Sequence, residues 1–279
     1  MNEKLIGHGF IPPLEIKPEE YIFGQQKLPD KILQDRGDWR DFLPAEEQQR
    51  KSFDTYGCTI YNTISPIEIL ERRLFGEDSE YAERPVYIGT GTRPPGNNPH
   101  IIAEWIRNNG LVPDEMLSFS DDLQNLDEYA SPDPLSMDII QEGKRWLDIK
   151  TFGHEWAFLS DDPKTKNDIL KEVLRRSPLA VSVVGWREIN NIYYKDRGEP
   201  DNHWAVLIVY EDRYPIIFDS YYPFIKKLDR NYDFGYAKRY SVDKKQILTG
   251  NENIIENHKV VSWWKRLWRN WFDEVMKIT

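Results

Sequence analysis

Cysteine is nearly absent: Cys58 is the only one among 279 residues. No intrachain disulfide can form, and disulfide-stapled folds and cysteine-rich zinc sites are excluded. Long apolar runs are missing too. Nothing approaches the ~18 consecutive apolar residues of a membrane-spanning helix. The first 21 residues lack an apolar stretch behind a basic one, so no secretory signal is expected and an intracellular, cytoplasmic setting is the default reading. Basic charge falls short, with 37 Lys and Arg against 47 Asp and Glu. A net charge of −10 argues against nucleic acid as a partner. His100 and His154 have no ligand-spaced companions, and the acidic run from Asp121 to Glu128 lacks the glycine and spacing of a calcium loop. No metal and no cofactor are therefore expected. Internal repeats and low-complexity tracts are also lacking.

What is present is ample material for a core, since 39% of residues are hydrophobic and 13% aromatic. Residues 1–37 are rich in proline and charge and read as an extended arm laid over a body. Its expected anchors are Ile11, Leu14, Ile16, Tyr21 and Ile22. The body, residues 38–257, changes character midway. Its first half predicts helices: one starting at Cys58, with a kink at Ser65-Pro66 where a new cap is expected, one over 100–109 closed by Gly110, and one over 137–147. A Gly- and Pro-rich loop is expected over 89–99 and irregular chain over 113–136. After a further helix over 167–176, the pattern turns to strands over 179–184, 192–194, 204–210 and 214–218. The Asp212-Arg213 pair predicts a hairpin between the last two. Helices followed by antiparallel strands make an α+β fold, two lobes with a cleft between them. Residues 258–279 form a third segment, with a Trp-rich amphipathic helix expected over 260–277. Its apolar stripe suits docking on the body, and the sharper alternative is contact with a protein assembly or a membrane surface.

Cys58 stands where a loop, Asp54-Thr55-Tyr56-Gly57, turns into a helix. A helix N-terminus beside an imidazolium is where a thiol becomes a thiolate. Gly57 permits close backbone approach, and the Cys58 N–H could serve an oxyanion. His203 opens the apolar run Trp204–Val209, and Asp219 follows sixteen residues later. Adjacent antiparallel strands would bring both to one end. Asp219 would then hold one ring nitrogen of His203 while the other faces Cys58. Taken singly, a lone buried cysteine or a satisfied core histidine is the blander explanation. Together the three residues point to nucleophilic catalysis.

Several stretches resemble the papain family of cysteine peptidases. Gly37-Asp38-Trp39-Arg40 resembles the start of the mature papain-type domain. Gln48-Gln49 precedes Cys58 as the family's glutamine precedes its cysteine. Asn202-His203 with its apolar strand, Asp219-Ser220-Tyr221 and the strand Ser177–Val183 match further motifs in the family's order. The overall likeness is greatest to uncharacterised papain-like proteins of bacteriophages and environmental bacteria, which would make virion association an alternative to the cytoplasm. The resemblance implies a papain-like fold and a cysteine-type peptidase or amidase acting on peptides or proteins through a thioacyl intermediate. It implies Cys58 as nucleophile, His203 as base, Asp219 as orienter, Gln48 or Gln49 at the oxyanion, with Gln48 slightly preferred, and Tyr221 as a shield for the His203–Asp219 contact. The departures are Asp219 for the family's asparagine, Thr59 for the tryptophan after the cysteine, a longer glutamine–cysteine gap, and no long prodomain. Because asparagine is the usual orienter, Asp219→Asn is expected to be tolerated better than Cys58→Ala, which should abolish activity. Two other readings remain open: an idle papain-like structural or interaction protein, and a transglutaminase-type acyl transferase.

Overall fold

The computed structural model describes residues 9–17, 20–21, 31–157, 159 and 161–245. The helix expected over 260–277 and the anchor Ile22 lie outside these residues. In chain order the elements are α1 (Cys58–Phe75), α2 (Glu83–Gly89), α3 (Pro99–Asn109), α4 (Leu126–Tyr129), α5 (Met137–Ile149), β1 (Lys150–Trp156), α6 (Pro163–Leu174), β2 (Leu179–Val183), β3 (Glu188–Ile189), β4 (Ile192–Tyr193), β5 (His203–Glu211), β6 (Tyr214–Phe218), β7 (Ile225–Lys227) and β8 (Ala237–Lys244). Six strands form one sheet in the order β1-β8-β2-β5-β6-β7, and β3-β4 is a separate hairpin.

The sheet is held in register by its buried central strands. Every residue of β2 is buried, as are residues 203–209 of β5, which is how a strand covered on both faces reads as an unbroken apolar run. β2 runs antiparallel to β5 with Val183 opposite His203, and β5 antiparallel to β6 with Val206 opposite Phe218. The β5–β6 turn places Asp212 and Arg213 at φ 48° and 74°, the two left-handed positions of the hairpin turn whose twist matches the strands.

α1 is the central helix of the other layer. It begins directly after Gly57 and ends at Gly76, whose left-handed φ of 67° lets its N–H reach the Arg72 carbonyl. The kink expected at Ser65-Pro66 does not divide it. Ser65 Oγ donates back to the Tyr61 carbonyl at 2.9 Å instead of capping forward, and burial of Ile60, Ile64, Ile67 and Leu70 holds the helix continuous through Pro66. Packing overrides the local preference. Across the interface, Asn62 Nδ2 donates to the Trp204 carbonyl at 2.6 Å, and Thr63 and Tyr240 join hydroxyls at 3.1 Å. α1 is thereby fixed to β5 and β8.

Trp39 anchors the start of the body. It is fully buried, its Nε1 donates to the Leu174 carbonyl at 2.7 Å, and its backbone N–H donates to Ile208. Of the anchors expected in the arm before it, Ile16 and Tyr21 pack against the core. Leu14 is fully exposed and Ile11 is 38% exposed, whereas Phe10 is buried. Pro12 and Pro13 just before Leu14 keep the chain from turning into a helix there, and its side chain is left in solvent.

Candidate active site

Cys58 is the first residue of α1 and is fully buried. The backbone N–H groups of Trp204, the second residue of β5, and of Thr59 favour its thiolate. Burial nevertheless pushes the thiol well above its ordinary range, and the charges of Asp219 and Asp54 push it further.

His203 opens β5 and is completely buried. Its Nε2 lies 2.6 Å from Asp219 Oδ1, while its Nδ1 is buried with no hydrogen-bond partner. One ring nitrogen is thus committed and the other is left over, on the residue next to the one whose N–H favours the thiolate. Asp219 directly follows β6, so the antiparallel β5–β6 pairing carries it to the histidine. Burial works against its charge, but the Lys226 ammonium and His203 outweigh that and hold its carboxyl below the usual range.

Lys226 was not foreseen. It is buried on β7, donates to Asp219 Oδ2 at 2.7 Å and donates to the carbonyls of Tyr221 and Pro223, each at 2.6 Å. Its ammonium also lies 4.8 Å from the centre of the Trp186 ring, and that ring packs edge-on to His203 at 5.4 Å. A lysine in a short polar strand carries no sequence signal for this role. Only the β6–β7 pairing brings it in.

The two glutamines part company. Gln49 is fully buried; its amide nitrogen donates to Tyr221 Oη at 2.8 Å and to Asp54 Oδ1 at 3.2 Å, and its Oε1 accepts from Ser220 Oγ at 2.6 Å. Gln48 lies outside this network, where its Oε1 accepts from the Tyr222 N–H. Tyr221 is buried with its ring 5.2 Å from that of His203 and its hydroxyl donating to Asp54 at 2.5 Å. Asp54, Asn62 and Ser220 complete the network and had no individual signal in the sequence. Among the described residues no three His, Cys, Asp or Glu side chains converge to hold a metal ion.

The arm crosses this site. Gly9 sits on the thiol so closely that a Cβ there would lie 2.7 Å from Cys58 Sγ and 2.8 Å from the Tyr56 carbonyl oxygen. Its φ of 149° is one that only glycine adopts without strain. Phe10 stacks on Trp204 with ring centres 5.2 Å apart and planes 4° apart. Around it the strap pairs with the loop before α3: Asn97 N–H donates to the Gly9 carbonyl, Ile11 N–H to the Asn97 carbonyl, and Phe10 N–H to Asn202. Gly96 faces Gly9 just as tightly, with φ 130° and no room for a side chain.

The fold that carries Cys58, His203 and Asp219 resembles those of several solved cysteine proteases. The chain superposes on xylellain, a cysteine protease from Xylella fastidiosa, with TM-score 0.60 at 14% identity, covering 88% of this chain and 98% of that one. The fold is papain-like. The proform of the ragweed pollen cysteine protease Amb a 11 matches with TM-score 0.50 at 13% identity, over 77% of this chain and 67% of that one. Digestive procathepsin L 3 of Tenebrio molitor matches with TM-score 0.50 at 15% identity, over 79% and 72%. No family model matches the sequence, and no curated protein does.

Proposed function

We propose that this protein is a cysteine peptidase whose cleft is closed by its own arm. The observation that carries the reading is the buried pair of His203 and Asp219, with Nδ1 of the histidine unengaged beside the strand start that meets Cys58. In that role His203 takes the thiol proton, the Cys58 thiolate attacks a peptide carbonyl, and the imidazolium protonates the departing amine. A thioacyl bond to Cys58 results, and water activated by the neutral histidine releases the acid. The N-terminal N–H groups of α1 favour the oxyanion. Gln49 commits both amide hydrogens to Tyr221 and Asp54, so its part is to brace the network beside His203. Asp219 orients the imidazole, and Tyr221 keeps water from that contact.

The strap is the pro-segment of this reading, and two of the similar structures are described as a proform and a procathepsin. An idle, structural role is the competing interpretation, favoured by the complete burial of Cys58 and its raised pKa. Peptide epoxide trapping separates the two. Chain whose strap has been displaced by Gly9→Val should be modified at Cys58, and His203→Ala in the same background should abolish modification. Reaction no faster than that of a free thiol, and indifferent to His203, would reject the peptidase.

A further inference from the structure

Lys238, on β8, is completely buried, and its Nζ has no hydrogen-bond partner. A buried ammonium without a partner costs several kcal/mol, so the surroundings that tolerate it deserve a ligand. Its Nζ lies 4.1 Å from the centre of the Trp156 ring, a cation–π contact that compensates only in part. The carboxylates whose charge reaches it are Glu20, Glu104 and Glu155.

Two of those three are already engaged by the body. Glu104, on α3, accepts from His154 Nε2 at 2.8 Å and pairs with Arg107. Glu155, on β1, pairs with Arg239. Glu20 belongs to the strap; its Oε1 is 3.7 Å from His100 Nε2, and its other oxygen accepts from the Lys17 N–H. His100 is edge-on to His154 at 5.4 Å and keeps a buried Nδ1 with no partner. The next strap residue, Tyr21, bridges to Trp156.

The cluster is continuous with the cleft. Trp156 packs on Trp204 at 6.2 Å, and Trp204 carries Phe10 on its face. The strap therefore touches the thiol through Gly9 and Phe10, and touches the Lys238 cluster through Glu20 and Tyr21.

We propose that His100 and the buried, unpaired Lys238 make an acid-recognition subsite of the cleft: Glu20 of the strap stands at it here, 3.7 Å from His100 Nε2, and a peptide that replaces the strap must bring a carboxylate of its own. The ligand class is an acidic extended peptide. Naming that peptide as substrate rests on the peptidase reading; the subsite itself does not.

The test uses full-length chain and the alkylation rate of Cys58, its only thiol, with iodoacetamide. Glu20→Gln should raise that rate about tenfold, ~1.4 kcal/mol of lost strap closure. Lys238→Met should do the same, and the double variant should add nothing further. Unchanged labelling in Glu20→Gln, whose half-buried position threatens no core, overturns the proposal even if Lys238→Met fails to fold. In the Glu20→Gln chain, two synthetic copies of residues 9–21 are then compared, one with Glu and one with Gln at residue 20. The Glu peptide should protect Cys58 at about tenfold lower concentration. Equal effects, including no protection by either, overturn the subsite. A failed peptidase would show differently, as absent epoxide trapping with these labelling ratios intact.

Discussion

Replacing Gly9 with valine tests how the arm closes the cleft. The backbone at Gly9 has φ 149°, a region in which residues with a Cβ bear about 1–3 kcal/mol of strain. A Cβ there would also meet Cys58 Sγ at 2.7 Å and the Tyr56 carbonyl oxygen at 2.8 Å. The first neighbour ends a side chain, but the second is backbone at the entrance to α1 and cannot yield cheaply. Gly9→Val must therefore shift the balance toward an open strap by at least that strain. Because Cys58 is fully buried, it reacts only from the open state, and its rate follows the open population. An increase of about 5- to 150-fold in native alkylation corresponds to 1–3 kcal/mol. The assay is iodoacetamide labelling followed by intact mass, with thermal unfolding measured in parallel to exclude global loss of stability. Gly96→Ala presses on the same seam from the other side and should act in the same direction. An unchanged rate for Gly9→Val would mean that the strap does not guard the thiol.

Two further outcomes follow from buried charge. Asp219→Asn should cost about 3–5 kcal/mol in denaturant unfolding, because it strands the Lys226 ammonium; adding Lys226→Met should recover most of the loss, and a cost below ~1 kcal/mol for the single variant would refute the pairing. Lys238, by burial, has its pKa pulled down to about 7 from the ordinary 10.5. Between those values the unfolded chain binds a proton that the folded chain has released, so stability should climb with rising pH over that window, at up to ~1.4 kcal/mol per pH unit. Lys238→Met, compared by denaturant unfolding at pH 7 and 10, should remove this gain, and identical profiles for the two chains would refute it.

Lys226 also bears on the expectation that Asp219→Asn is tolerated better than Cys58→Ala. That expectation considered only the imidazole, for which a neutral acceptor suffices. The second carboxylate oxygen is bound by an ammonium that arrives from β7, and no pattern around residue 226 announces it.

Local rules carried the elements with strong periodicity or turn chemistry. Gly57 before Cys58, Gly110 closing α3, the buried run of β5 and the Asp212-Arg213 hairpin were legible because period, cap and turn act over a few residues. β1 and β8 escaped notice. Lys150, His154 and Glu155 on one strand and Lys238 and Arg239 on the other interrupt any apolar alternation, and all but Lys238 are buried by pairing with partners distant in sequence. α2 carries no amphipathic stripe to announce it, and burial of residues 83–88 holds it. Residue identity and order brought Cys58, His203 and Asp219 into one argument, and strand pairing placed the last two in contact. The choice of Gln49 for the buried network, the Lys226 pair, the strap over the thiol and the Lys238 cluster were decided by tertiary structure alone. Each depends on which surfaces meet across long stretches of chain, where burial and the lack of water set the energy, and a sequence records neither until the chain has folded.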